Sequence, residues 1–365
     1  MNALTHERTA GHAVGPTRAR RKGELRRWLV RIGIGFLTLP ALLGLLFAIP
    51  PTRAFLIDQI IYQGDIFFPV QQKAAVVRLV SPYPGAAPIA LTVPVRHGTV
   101  VRGIVASPAL HGARRSYLVY LPPGYTDPAN RGRRYPVLYL LHGSPGTPDD
   151  WLRGVHAEYA ANEQIAAGLL PPLIMVMPDV NGDRWRDTQC VNKWDGTDNE
   201  MDYLVRDVVP TIDARYRTIT NPAHRAIGGL SSGGYCAFNV GLRHPALFGT
   251  LFSMSGYFHA LRGEVFGSNN PYGHNPRFLA ANSPDRYVGL VPGVRHMHLL
   301  IYDSTADGSY AGFARAFDRQ LSHLGIPHRL VMRHPTDFLI WDHTWLYWRG
   351  AFRQALPAVG ASFGR

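Results

Sequence analysis

Cysteine is nearly absent, with only Cys190 and Cys236 in 365 residues. That scarcity excludes a disulfide-built scaffold. It leaves either one disulfide, formed in an oxidising compartment, or two buried thiols acting as small hydrophobes. No HExxH or paired CxxC spacing occurs and the sixteen histidines are scattered, so no metal and no cofactor is expected. Nothing in the chain repeats. Charged residues make up only 17%, low for a cytosolic protein but ordinary for an exported one. Despite a formal charge of +13, there is no Arg/Lys stripe interleaved with aromatics, which argues against nucleic acid as a partner.

The charge that is present is concentrated at one end. Residues 1–31 carry eight Lys/Arg against Glu7 and Glu24, a net of +6. Directly after them comes IGIGFLTLPALLGLLFAIP, residues 32–50, with Thr38 as its only polar side chain. That is about the length of a helix crossing a hydrocarbon core, and the arginines before it hold that end in the cytoplasm. The expected organisation is a basic cytoplasmic segment over 1–31, a transmembrane helix or signal anchor over 32–50, a connector over 51–97 and a catalytic domain over 98–365. A cleaved signal peptide is the alternative, disfavoured because FAIPPTRAF offers no small-x-small site. RRWLV at 26–30 faintly resembles a twin-arginine signal. Each reading puts the body outside the cytoplasm.

An apolar share of 46% is ample for one packed core. From Gly98 onward short β-branched and aromatic runs alternate with helix-like stretches. TVVRGIVAS, SYLVYLPPGY, YPVLYLLHG, LIMVMPD, HRAIGGL, TLFSMSG and HLLIYD read as strands. Residues 151–168, EMDYLVRDVVPTIDARY, SSGGYCAFNVGLRHP and GFARAFDRQLSHLGI read as helices. Strands alternating with crossover helices predict an α/β domain with a mainly parallel sheet and helices on both faces.

Between strand HRAIGGL and its following helix lies Gly229-Leu230-Ser231-Ser232-Gly233. This fits G-x-S-x-G, in which the central serine occupies a sharp strand-to-helix turn and the glycines leave room for it. Ser231 is therefore the candidate nucleophile, and Ser232 the candidate donor of a backbone N–H. An alcohol needs a base, and the base an orienting acid, in the chain order Ser, Asp, His. His343, just before a helix carrying Trp345 and Trp348, is the candidate base, and the tryptophans are core anchors for its loop. His323, His328 and His334 are read as surface or packing residues. LLIYDSTADGSY offers two acids. Asp307 in the loop is preferred over Asp303 at the strand end, with a capping role for the loser. A second oxyanion donor is expected from the Ser144 backbone N–H in LLHGSPGTPDDW. His142 there is read as a structural residue of the turn, and Trp151 as packing or part of an acyl pocket.

With these pieces in place, the chain resembles the esterase D-like branch of the α/β-hydrolases, related to feruloyl esterases, S-formylglutathione hydrolases and actinobacterial mycolyltransferases. The resemblance rests on VYLPPGY, YLLHGSPG with Trp151, GGLSSGG, the strand-loop-Asp at 299–307 and HTWLYW, and covers roughly residues 98–357. It implies an α/β-hydrolase fold with Ser231 as nucleophile, Asp307 as acid, His343 as base and the Ser144 and Ser232 amides as oxyanion hole. Two positions depart from the family pattern: Ser304 stands where a glycine is usual, and GLSSGG replaces GxSMGG. The implied function is hydrolysis of a small-molecule, lipid or glycan ester through an acyl-enzyme. Acyl transfer to an envelope glycan or lipid, a non-catalytic envelope binding protein and a peptidase are the alternatives. The loop 187–200 and the insertion 256–278 are candidate substrate-side elements. Oligomeric state is not legible.

Overall fold

The computed structural model describes residues 74–79, 89–261, 270–334 and 342–364. The chain divides into two compact units, Met1–Arg53 and Ala54–Arg365, and every described residue belongs to the second. The expected membrane helix, 32–50, lies outside the described residues. Among those described, no helix is long and apolar enough to cross a membrane.

Ten strands form two sheets among the described residues. The first is an antiparallel pair, β1 (Ala74–Leu79) with β2 (Ile89–Pro94), running from Ala74↔Pro94 to Leu79↔Ile89. It falls inside the stretch expected to be a connector, 51–97. The second sheet comprises β3 (Thr99–Ser107), β4 (Ala113–Leu121), β5 (Val137–Leu141), β6 (Ile174–Pro178), β7 (Arg225–Leu230), β8 (Thr250–Met254), β9 (His298–Ser304) and β10 (His328–Arg333). Their order is β10-β9-β8-β7-β5-β6-β4-β3. Only β4 runs against the rest, pairing antiparallel with both β3 and β6. The sheet is thus mainly parallel, as the alternating pattern predicts. β5, β6, β7 and β8 are buried along their whole length, which is why they read as unbroken apolar runs.

The crossover helices are α1 (Ala157–Ala166), α2 (Glu200–Asp202 continuing through Tyr203–Val208 and Val209–Arg215), α3 (Ser232–Arg243), α4 (Gly308–His323) and α5 (Trp345–Ser362). They cover the sheet with two apolar layers. One joins Leu204 and Ile212 of α2, Phe238 of α3 and Phe317 of α4 to inward residues such as Tyr139 and Ile301. The other joins Ala160 of α1 and Phe352 of α5 to Leu140, Phe252 and Trp151. Trp151 is fully buried against Phe352, with ring centroids 5.3 Å apart, so it is a core residue and not part of an acyl pocket. The strand tops converge at the C-terminal edge of β5, β7 and β9, where a parallel sheet of this kind binds ligands.

Candidate active site

β7 ends at Leu230 and α3 begins at Ser232, leaving Ser231 alone in the turn. Its backbone takes φ 53° and ψ −124°, a conformation L residues seldom adopt, and its N–H donates to the Met254 carbonyl at 2.9 Å. Such a sharp reversal brings neighbouring backbones close together. A Cβ on Gly229 would sit 2.2 Å from the Gly233 carbonyl oxygen, and one on Gly233 would sit 2.2 Å from that of Leu141. Both glycines are therefore sterically obligatory.

Ser231 Oγ lies 3.0 Å from His343 Nε2, and His343 Nδ1 lies 2.9 Å from Asp307 Oδ1. A carboxylate can only accept, so Nδ1 carries the ring proton and the unprotonated Nε2 accepts from the Ser231 hydroxyl. Asp307 is fully buried between β9 and α4. The imidazole is clamped as well: Tyr310 stacks on it at 4.2 Å, and Trp348 meets it edge-on at 4.9 Å. Trp348 is fixed in turn by donating Nε1–H to Ser255 Oγ at 3.1 Å and packing on Trp345 at 5.0 Å. Thr344 caps α5, its Oγ1 accepting the Tyr347 N–H at 3.3 Å, which sets where the preceding His343 stands. Burial raises the Tyr310 phenol, partly offset by its hydrogen bond to Ser231.

The loop after β5 comes up beside the serine. A Cβ on Gly143 would be 3.2 Å from Ser231 Cβ, so this turn packs directly against the serine. His142 is structural: Nδ1–H donates to the Gly143 carbonyl at 2.8 Å while Nε2 accepts the Val180 N–H at 3.2 Å, occupying both ring nitrogens. Ser144 Oγ donates to the Arg186 carbonyl at 3.0 Å and the Gly146 N–H to that of Arg184 at 2.9 Å, tying the turn to the next loop. The Ser232 N–H belongs to the first turn of α3, whose leading amides have no acceptor within the helix.

That next loop is anchored at its base and open at its tip. Cys190 is disulfide-bonded to Cys236 of α3, with Cα atoms 5.4 Å apart, which resolves the choice between a disulfide and two thiols. Gln189 accepts the Tyr272 hydroxyl at 2.8 Å and donates to the Leu261 carbonyl at 2.7 Å. Burial pushes the Asp187 carboxyl up to about 6, against the pull of the Gln189 N–H it accepts. Glu200 at the far end is buried beside Arg115 at 2.9 Å, and burial pushes it up to about 7. Trp194, between these anchors, and Trp185, just before them, are exposed. Residues 262–269 of the 256–278 insertion lie outside the described residues. Among those described, no cluster of His, Cys, Asp or Glu is arranged to hold a metal ion.

All five site residues singled out in the sequence, Ser231, His343, Asp307, Ser144 and Ser232, occupy one edge of the sheet. His323, His328 and His334 lie elsewhere: His323 ends α4, His328 contacts Asp318 at 3.0 Å and His334 faces Thr305 at 3.4 Å. Sequence reasoning missed Tyr310. Its position three residues after Asp307, on the first turn of α4, was the available signal.

An eight-stranded sheet with a single antiparallel strand, carrying a serine in a glycine-framed strand-to-helix turn, defines an α/β-hydrolase-like fold. Residues 107–359 match the family described as "Putative esterase", and the chain belongs to that family. It is similar to an uncharacterised protein of Corynebacterium glutamicum, at 29% identity over 262 residues, covering 69% of this chain and 58% of that protein. It is also similar to an esterase of Mycobacterium tuberculosis, at 28% identity over 237 residues, covering 58% of this chain and 49% of that protein. The chain spans about half the length of these curated relatives. Among solved structures, a ferulic acid esterase superposes with a TM-score of 0.63 at 26% identity, covering 73% of this chain and 99% of that one. The matched body is an esterase domain of this family.

Proposed function

We propose that the protein is a serine carboxylic-ester hydrolase working through an acyl-enzyme, with its catalytic domain outside the cytoplasmic membrane. The observation carrying the mechanism is the unbroken contact Ser231 Oγ, His343 Nε2, His343 Nδ1, Asp307 Oδ1 at 3.0 and 2.9 Å. His343 takes the serine proton as Oγ attacks the ester carbonyl, and Asp307 steadies the imidazolium so formed. The Ser144 and Ser232 amides donate to the developing oxyanion. Collapse expels the alcohol, which receives its proton from His343. Water, activated by the same histidine, then releases the acid and restores the serine. The likeness to a ferulic acid esterase and to an esterase of Mycobacterium tuberculosis supports a carboxylic ester as the scissile group. Retention of all three side chains in contact weighs against a purely binding role. The extracytoplasmic assignment rests on the basic run at 1–31 followed by the apolar stretch 32–50.

The test is p-nitrophenyl ester hydrolysis and fluorophosphonate labelling by the full chain, beside Ser231→Ala and Ser232→Ala. Loss of both signals in Ser231→Ala, with labelling retained in Ser232→Ala, is expected. A parent protein that neither hydrolyses the ester nor takes the label overturns the reading. Adding a sugar alcohol separates hydrolysis from transfer, because transfer moves the acyl group onto the added hydroxyl.

A further inference from the structure

Two carboxyl groups stand behind His343. Asp303, near the end of β9, and Asp307, at the start of α4, are both fully buried. Each has one oxygen in use: Asp307 Oδ1 takes the His343 Nδ1–H at 2.9 Å, and Asp303 Oδ1 takes the Ser304 backbone N–H at 2.7 Å. The second oxygen of each, Oδ2, is buried and receives no N–H or O–H from any other group among the described residues. The two side chains are within hydrogen-bonding reach of one another. Carboxylates only accept hydrogen bonds, so two ionised groups placed this way would leave two orphaned oxygens and two touching negative charges. One proton between them removes both problems.

We propose that Asp303 is held as the neutral acid and donates its Oδ2–H to Oδ2 of Asp307, making it a positioning residue that aims Asp307 Oδ1 at His343 Nδ1. A carboxylic acid kept protonated by its surroundings so that it can donate is an established device in enzyme sites. The surroundings here favour it. Burial first, and the Asp307 charge second, push Asp303 up to about 9, against the weaker downward pulls of the Ser304 N–H and Arg315 of α4. The remaining polar neighbours do not supply a counter-charge. Tyr310 of α4 and Tyr347 of α5 are neutral phenols kept so by burial. Arg333 of β10 lies over the Tyr347 ring at 5.9 Å, and Asp342 is taken by the Ser304 hydroxyl. The only cation the reaction itself creates near the pair is the His343 imidazolium, which Asp307 meets directly. A second negative charge on Asp303 would repel Asp307 from its place, so the arrangement fails once Asp303 ionises.

The inference rests on the serine-esterase reading for its consequence in catalysis but not for the proton itself, and the two are tested separately. Asp303→Asn keeps an oxygen for the Ser304 N–H and offers an N–H to Asp307 without titrating. Asp303→Ala offers neither. Full-length parent and variants are compared by kcat and KM from about pH 6 to pH 10, and by infrared difference spectra at neutral pH. The parent is expected to lose kcat with an alkaline limb that Asp303→Asn lacks. At neutral pH the Asn variant keeps kcat within about fivefold of the parent. Asp303→Ala loses about ten- to a hundredfold in kcat with little change in KM. Parent minus Asp303→Asn spectra should show the carbonyl stretch of a neutral carboxylic acid. A residue needed only for packing would lower thermal stability in both variants and leave the pH profile alone. An unchanged alkaline limb in Asp303→Asn, or no neutral carboxyl band, overturns the proposal even if Asp303→Ala does not fold. A parent with the band but no esterase activity overturns the functional reading and leaves the shared proton standing.

Discussion

The two halves of the site are built in opposite ways. The half proposed to carry the nucleophile, from β7 through Ser231 into α3, is held by backbone: Gly229 and Gly233 face carbonyl oxygens so closely that no Cβ fits, and the Ser231 N–H is tied to the next strand. The half proposed to carry the acid and base, from the β9–α4 loop and residues 342–344, is held by side chains. Asp307 is fixed through His343 and Asp303, and His343 through Tyr310, Trp348 and the cap at Thr344. A turn made of backbone has one geometry and fails completely when disturbed. A cluster made of side chains can lose one member and keep part of its function, because the others still restrain the same atoms.

The largest expected effect lies on the nucleophile side. Ser231→Ala should lower kcat by about 10⁴-fold or more in ester hydrolysis, with KM little changed. Next, Asp307→Asn should cost about 10³- to 10⁴-fold in kcat, since an amide no longer selects the Nδ1–H tautomer of His343. Residual activity comparable to the parent would show that the side-chain half is more redundant than its contacts suggest. Gly229→Ala tests the backbone half without touching a reacting atom: with its Cβ 2.2 Å from a carbonyl oxygen, about 3 kcal/mol or more of stability should be lost in denaturant titration. Full stability in that variant would contradict the steric account of the turn. Replacing both Cys190 and Cys236 by Ala should cost roughly 2–4 kcal/mol, since the bridge closes a separation of 46 residues.

The smallest effect concerns pH and the loop beside the site. Asp187 is raised to about 6, so between its unfolded value of about 4 and that point the folded protein holds a proton the unfolded chain has lost. Its contribution to stability therefore falls as pH rises through that window and is constant above it. Asp187→Asn, which does not titrate, should gain in melting temperature relative to the parent from about pH 4 to pH 6 and no further. A fall in melting temperature shared by both proteins that continues to about pH 7 would belong to Glu200, which burial raises to about 7.

Much of this was legible before any fold was known. The buried central strands announced themselves as apolar runs, and the glycines around Ser231 announced the turn, because both signals are local. Less local features were missed. β10 sits at the sheet edge with its residues only partly buried, so His328–Arg333 carries Arg and His among its apolar residues and lacks the unbroken run of a central strand. The β1–β2 pair falls within a stretch that reads as a connector, because the turn formers of SPYPGAAP between its two short apolar strands dominate that reading. Asp303 and Asp307 are the sharpest case. The sequence favoured Asp307, which the fold does bring to His343, but left Asp303 a capping role, whereas the fold buries that side chain as completely as Asp307.

By itself, then, the sequence determined the layered α/β architecture and the place of the proposed nucleophile. Strand burial and the steric needs of one turn are written in consecutive residues. Only the tertiary structure decided the rest: how the preferred acid is aimed at the histidine, the ring contacts that hold the imidazole, and the pairing of Cys190 with Cys236. Each of these depends on side chains brought together from distant parts of the chain, and separation in space is a property of the packed sheet that no short stretch of residues encodes.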